Sequence, residues 1–281
     1  MDRKQFLQTT AALAVGGLLG DSIISKVSAA EISVSEVGAN TQLDFPIMDL
    51  HVHRSDKQSI EDIVEKSKRT GIKFGVMENV APWGITNDEQ LKAYLDAVSP
   101  YPVYVGLQPM SPGWSKNLSK KLIERADYVA MDPQIVTNGN GYGEDVMVWE
   151  YATYIEDAEA FMERNMAHYI NILTGDEPLD IFACPLLLPY CIEREYSKLW
   201  TKKRLQTIID AAKARDIAIE ISDMMRVPHD EFILMAKRAG LKFTFGSDTR
   251  DEKTGRLDYC KYIAKRCGLK ENDFFVPKRR I

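Results

Sequence analysis

From Phe45 onward, short apolar runs alternate with amphipathic stretches, and this alternation limits the fold more than any other feature of the chain. The runs at 47–51, 73–77, 103–107, 128–131, 180–183, 218–221 and 242–245 have the length and composition of buried strands. Between them, Ile60, Ile63 and Val64 recur at helical spacing, as do Leu205, Ile208, Ile209 and Ala212. A helix starting near Pro228 gains an early Asp230-Glu231 pair, and Gly240 provides a stop after its last periodic residue. Strands that alternate with helices pair in parallel, and seven units in a row predict an α/β fold closed into a TIM-like barrel. An open doubly wound sheet is the structural alternative.

The 281 residues suffice for one deep core, and no repeat or composition shift marks a second domain. The formal net charge of -5 is spread along the chain, which is not the basic footprint of a nucleic-acid binder. Lys278-Arg279-Arg280 reads as a solvated basic tail. The four cysteines are Cys184, Cys191, Cys260 and Cys267; they lack zinc-finger spacing and are expected as mostly free, partly buried thiols. Residues 1–30 read as a signal peptide: Arg3 and Lys4, then an apolar run near 9–19, then small residues around Ala29. The start resembles a twin-arginine export signal with Lys4 at the second arginine; an ordinary secretory signal and an uncleaved anchor helix are the alternatives. Residues 31–45 are polar, lack periodicity and form a linker, leaving 46–281 as a single barrel domain. The expected location is exported, periplasmic or at the cell envelope, with no stable membrane span in the mature protein.

In such barrels the functional groups gather at the carboxyl ends of the strands. Here those ends carry His51 and His53, Glu78 and Asn79, Gln108, Asp132, Cys184, Glu220 with Ser222 and Asp223, and Asp248 with Arg250. Residues i and i+2 of a strand face the same way, so His51 and His53 can converge on one cation. Asp248 follows the last strand, which a closed barrel brings beside the first, so its carboxylate can join them; the plainer role for that residue is a helix cap. Arg250 and Arg54 suit bidentate recognition of an anion if they face the pocket. Glu220 points into the barrel, where an unpaired charge is costly, and so calls for a partner or ligand. A Cys184 nucleophile finds no suitably placed histidine, since His168 lies within a helix and His229 at a helix start. The Gly139–Gly143 stretch reads as a surface turn, and Trp83 and Trp114 as loop aromatics that either stack on a sugar or pack into the rim.

Four motifs in order resemble the polymerase and histidinol phosphatase (PHP) superfamily: Asp49-Leu50-His51-Val52-His53, Met77-Glu78-Asn79, Asp180 to Pro185, and Gly246-Ser247-Asp248. The resemblance runs through most of residues 46–268 and implies a distorted seven-stranded βα barrel that binds two or three divalent ions and hydrolyses phosphate esters. The departures are in the ligands. Glu78-Asn79 stands for Asp-His, Gln108 for a bridging Glu, Cys184 for a His, and Arg250 for the His of Asp-x-His, while Asp132 sits near a further His position. Carried over, His51, His53 and Asp248 are straightforward ligands. Glu78, Asp132 and Cys184 are chemically able replacements, whereas Asn79, Gln108 and Arg250 are poor ones.

The resulting expectation is an exported metal-dependent hydrolase acting on a small anionic or carbohydrate-derived substrate. Metal ligands are His51, His53, Asp248 and Cys184, and one or two ions of zinc, manganese or iron are held. Glu78, Asp132, Arg250 and Glu220 are the candidates for acid–base and substrate-binding roles. An amidohydrolase-like enzyme, which an eighth strand would favour, and a non-catalytic binding protein on a degenerate barrel are the alternatives.

Overall fold

The computed structural model describes residues 43–280; the signal segment and nearly all of the linker lie outside them. The elements run β1 (Met48–His53), α1 (Ile60–Thr70), β2 (Lys73–Val80), α2 (Asp88–Val98), β3 (Tyr104–Pro109), α3 (Lys120–Ile123) and β4 (Tyr128–Met131). A small antiparallel hairpin follows, β5 (Ile135–Val136) with β6 (Val146–Met147). Then come α4 (Ala158–Thr174), β7 (Ile181–Phe182), α5 (Tyr196–Leu199), α6 (Lys202–Ala214), β8 (Ala218–Ser222), α7 (Asp230–Arg238), β9 (Phe243–Gly246) and α8 (Asp258–Arg266).

Seven strands form one parallel sheet in the order β1-β2-β3-β4-β7-β8-β9, and its two edges meet. The meeting is lopsided, which is the distortion of the barrel. At the carboxyl end Asp248 N donates to His51 O at 2.8 Å and His53 N to Thr249 O at 3.0 Å. At the amino end the chain after α8 takes the edge of β9, with Phe275 N donating to Phe243 O at 2.9 Å. The seven expected strands are all present, so the open-sheet alternative falls, and no eighth strand joins this sheet among the described residues.

Alternation along the strands sorts the side chains into two cores. Val76, Val105, Leu107, Val129, Phe182, Ile219, Ile221, Phe243 and Phe245 face outward to the helices. Leu50, Met77, Tyr128, Ala130, Ile181, Ala183 and Ala218 fill the barrel interior. The ring of Tyr128 dominates this interior, its hydroxyl donating to Leu50 O at 2.6 Å. It fits because its neighbours on β2 and β3 are Gly75 and Gly106; a Cβ on either would collide with the ring or its hydroxyl. The hairpin excursion between β4 and α4 was not legible as strand, and it is pinned to α4 by polar contacts, one buried and one partly buried. His168 Nε2 lies 3.1 Å from Pro133 O, and Arg164 Nε donates to Gly139 O at 2.8 Å.

Gly106→Ala should cost about 1–3 kcal/mol by overpacking and Tyr128→Ala about 3–5 kcal/mol by cavity formation, both read by urea unfolding. Burial holds His168 down at about 4, against an ordinary 6.5. The unfolded chain therefore takes up the proton first as pH falls, so this residue's contribution is complete above 6.5 and lost on the way to 4. Relative to His168→Gln, the native protein should lose up to about 3 kcal/mol over that window.

Candidate metal centre

β1 carries a bulge: its pairing with β2 slips between Asp49 and Val52. Strict alternation would place Asp49 on the same face as His51 and His53. The slip instead turns Leu50 into the apolar interior and His51 and His53 into the layer above it, while Val52 joins the outer core. Asp49 is left to serve the seam, accepting Ser247 N at 3.0 Å, Gly255 N at 3.2 Å and His51 N at 3.3 Å. Burial pushes its carboxyl up to about 6 in spite of these bonds.

His51 and His53 are buried, and the Nε2 atom of each is shielded from solvent and without a hydrogen-bond partner. Both face Asp248 Oδ1, at 3.4 Å from His51 and 3.6 Å from His53. Tetrahedral coordination at about 2.1 Å places ligand atoms roughly 3.4 Å apart, so one small divalent ion fits among these three atoms. A second cluster shares His51 with Cys184 and Glu220. Both groups are positioned to coordinate a divalent cation, but the second stands behind the first. His51 Nδ1 lies 2.8 Å from Glu220 Oε2, the carboxylate–imidazole arrangement that fixes a tautomer and aims the other nitrogen at a metal.

Burial works against charge on His51, but Glu220 and then Asp248 outweigh it and bring the imidazole up to about 9. His53 goes the other way: burial, then the charges of His51 and Arg250, hold it well below the usual range, so its ring is neutral. Cys184 Sγ lies 3.4 Å from Glu220 Oε1 and 3.6 Å from Ser222 Oγ, and burial followed by the neighbouring carboxylates pushes its thiol well up. The backbone at Cys184 (φ 40°) and at Asp248 (φ 47°) is left-handed, a strained state at the exits of β7 and β9.

Asp132 is buried and pushed up to about 7, chiefly by burial. It is cradled by carboxamides, accepting from Gln108 Nε2 at 3.2 Å, Gln134 Nε2 at 3.3 Å and Gln134 N at 3.0 Å. Arg250 is half exposed and donates to Asp248 Oδ1 at 2.9 Å. Glu78 stands further out, one-third exposed, 3.9 Å from Arg54 and bonded to its own neighbour Asn79 N. The structure thus gathers His51, His53, Asp248, Arg250, Glu220 and Cys184 by direct contact and leaves Glu78 at the rim. Gln134 and the seam role of Asp49 were missed in the sequence. Gln134 was findable, being two residues beyond Asp132 on the same face.

No protein-family model matches the sequence, and no curated protein matches it. Among solved structures, the histidinol phosphate phosphatase of Lactococcus lactis subsp. lactis Il1403, complexed with zinc, L-histidinol and phosphate, aligns with a TM-score of 0.58. Identity is 15%, over 80% of this chain and 94% of that one. The fold is PHP-like. At that identity the likeness speaks for the fold alone. An archaeal ribonuclease P with mature tRNA (TM-score 0.42, 11% identity, 80% of this chain and 90% of that one) and a citrate synthase variant (0.40, 14%, 79% and 95%) are similar at scores too low to carry an argument. The PHP-like barrel here bears a divergent metal-binding cluster.

Gly246 makes room for Glu220: a Cβ there would lie 2.5 Å from the Glu220 carboxyl carbon. Gly246→Ala should therefore dislodge Glu220 from His51 and weaken metal affinity about 10–100-fold, as should Glu220→Ala. Competition with a chromogenic chelator reads this, and unchanged affinity in both variants would remove Glu220 from its orienting role.

Proposed function

We propose that this chain is an exported metal-dependent hydrolase that cleaves phosphate esters of a small substrate. The observation that carries the reading is the pair of buried, unpartnered Nε2 atoms of His51 and His53 facing Asp248 Oδ1. Two buried imidazole nitrogens without partners are costly unless something binds them, and the donor set of two nitrogens and a carboxylate suits zinc, manganese or iron. An ion so held supplies Lewis acidity and a lowered pKa for attacking water.

The chain's own residues supply the rest. Glu220 fixes the His51 tautomer from behind. Asp132, tuned to about 7 and held still by Gln108 and Gln134, takes the proton of the attacking water and returns it to the departing oxygen. Arg250 presents its free guanidinium N–H groups at the mouth, where they pair with non-bridging phosphate oxygens. Arg54 and Glu78 line the outer rim and select by charge. The amidohydrolase-like alternative loses support, since the barrel sheet has seven strands. Export rests on the features of residues 1–30, and no helix among the described residues is long and apolar enough to cross a membrane.

The test begins with the full chain expressed in a Gram-negative host. Protein from the periplasmic fraction should start near residue 30, and full-length protein confined to the cytoplasm would count against export. Elemental analysis should find about one ion per chain, lost in a folded His51→Ala/His53→Ala variant along with 4-nitrophenyl phosphate hydrolysis. Asp132→Asn should keep the metal and lose roughly 10²–10⁴-fold in kcat. No metal after reconstitution with zinc, manganese and iron would defeat the hydrolase reading and leave a barrel repurposed for binding.

A further inference from the structure

Nine large apolar side chains stand exposed among the described residues, and they are not scattered. Six of them, Trp83, Tyr142, Tyr151, Tyr154, Tyr190 and Met224, lie on loops that leave the carboxyl ends of the strands. Five of the six are aromatic. Exposed aromatic surface gathered on one face marks a place of contact rather than chance.

Two pairs organise it, each joining different loops. Trp83, after β2, meets Trp149, in the excursion after β4, with ring centroids 6.2 Å apart and planes at 74°. Tyr151 meets Tyr190, after β7, at 5.6 Å and 56°. In such tilted contacts the edge of one ring leans on its neighbour and other faces stay in water; Tyr151 is 85% exposed, Tyr190 56% and Trp83 43%. The pairs belong to the rim of the metal centre. Val148 N donates to Gln134 O at 2.9 Å, Gln134 holds Asp132, and Trp149 is the next residue. Trp83 comes three residues after the end of β2, the strand that carries Glu78.

The charge around these rings narrows what they can contact. From 133 to 157 the excursion holds five acidic residues, Glu144, Asp145, Glu150, Glu156 and Asp157, and no basic one. A polyanion would be repelled there. Exposed carboxylates such as Glu150 and Glu156 are instead good acceptors for hydroxyl groups. A ligand with flat C–H faces and a hydroxylated edge satisfies both halves of the rim. A row of braced rings on separate loops, unlike a closed aromatic cage around one cation, suits several units in succession.

We propose that this rim is a stacking platform for a neutral oligosaccharide, with sugar rings lying on the Trp83–Trp149 and Tyr151–Tyr190 pairs. The inference deepens the proposed function by naming the uncharged sugar portion of the molecule whose phosphate ester is cleaved. It rests on that reading for the reaction and not for the binding.

Calorimetric titration of the mature protein with maltohexaose, cellohexaose, laminarihexaose and chitohexaose tests it. At least one should bind with a Kd below about 1 mM, and Trp83→Ala and Tyr151→Ala/Tyr190→Ala should each weaken it about tenfold or more with the melting temperature unchanged. His51→Ala/His53→Ala should bind the same sugar within about twofold of wild type, so that loss of catalysis and loss of the platform are separable. The proposal is overturned if none of the four binds, if the ring variants bind like wild type, or if only heparin fragments or choline bind. Sugar binding by a protein that takes up no metal would sustain the platform while defeating the hydrolase.

Discussion

Asp49 closes the barrel at the one place where closure matters for chemistry. Its carboxylate accepts from Ser247 N and Gly255 N across the seam, beside the two backbone bonds that join β1 to the chain after β9. Hydrogen bonds to a charged acceptor contribute about 1.5–3 kcal/mol each, against a burial cost visible in the raised carboxyl. The strap reinforces that junction at the carboxyl end, since the amino end of β9 pairs with the Phe274–Phe275 segment instead. His51 and His53 come from one side of the seam and Asp248 from the other, so the ligand geometry depends on it.

The barrel interior has two storeys. Below, Tyr128 packs among Leu50, Met77, Ile181 and three alanines, in space cleared by Gly75 and Gly106. Above, the same strands carry Gln108, Asp132, Cys184, Glu220 and Asp248 around the histidines. The apolar storey denies water to the polar one from beneath, which raises Asp132 and Cys184 and strengthens every charge interaction above it. Gly246 serves the upper storey as Gly75 and Gly106 serve the lower, giving Glu220 the room to reach His51.

Most of this was legible because strand alternation and strand order are written in short apolar runs. Seven runs gave seven strands, and His51, His53 and Asp248 followed from period two and closure. The bulge at Asp49–Val52 was not legible: it depends on pairing with β2, and the local pattern alone puts Asp49 with the histidines. The hairpin of β5 and β6 was missed because two-residue strands leave no periodicity to read. Glu220 was seen to need a partner, but that its partner is the back of His51 depends on contact across the barrel between β1 and β8. Trp114, left open between stacking and packing, is buried, and Trp83 is exposed.

The resemblance implied a cluster of two or three ions, and the geometry argues for a simpler centre. The two ligand groups share His51, whose Nδ1 already holds Glu220 at 2.8 Å, leaving one nitrogen for one ion. The oxygens of Asp132 are satisfied by the carboxamides of Gln108 and Gln134. Arg250 places a permanent positive charge against Asp248. The donor atoms of His51, His53 and Asp248 form one group suited to a divalent ion, with the Arg250 guanidinium beside it at the more exposed side.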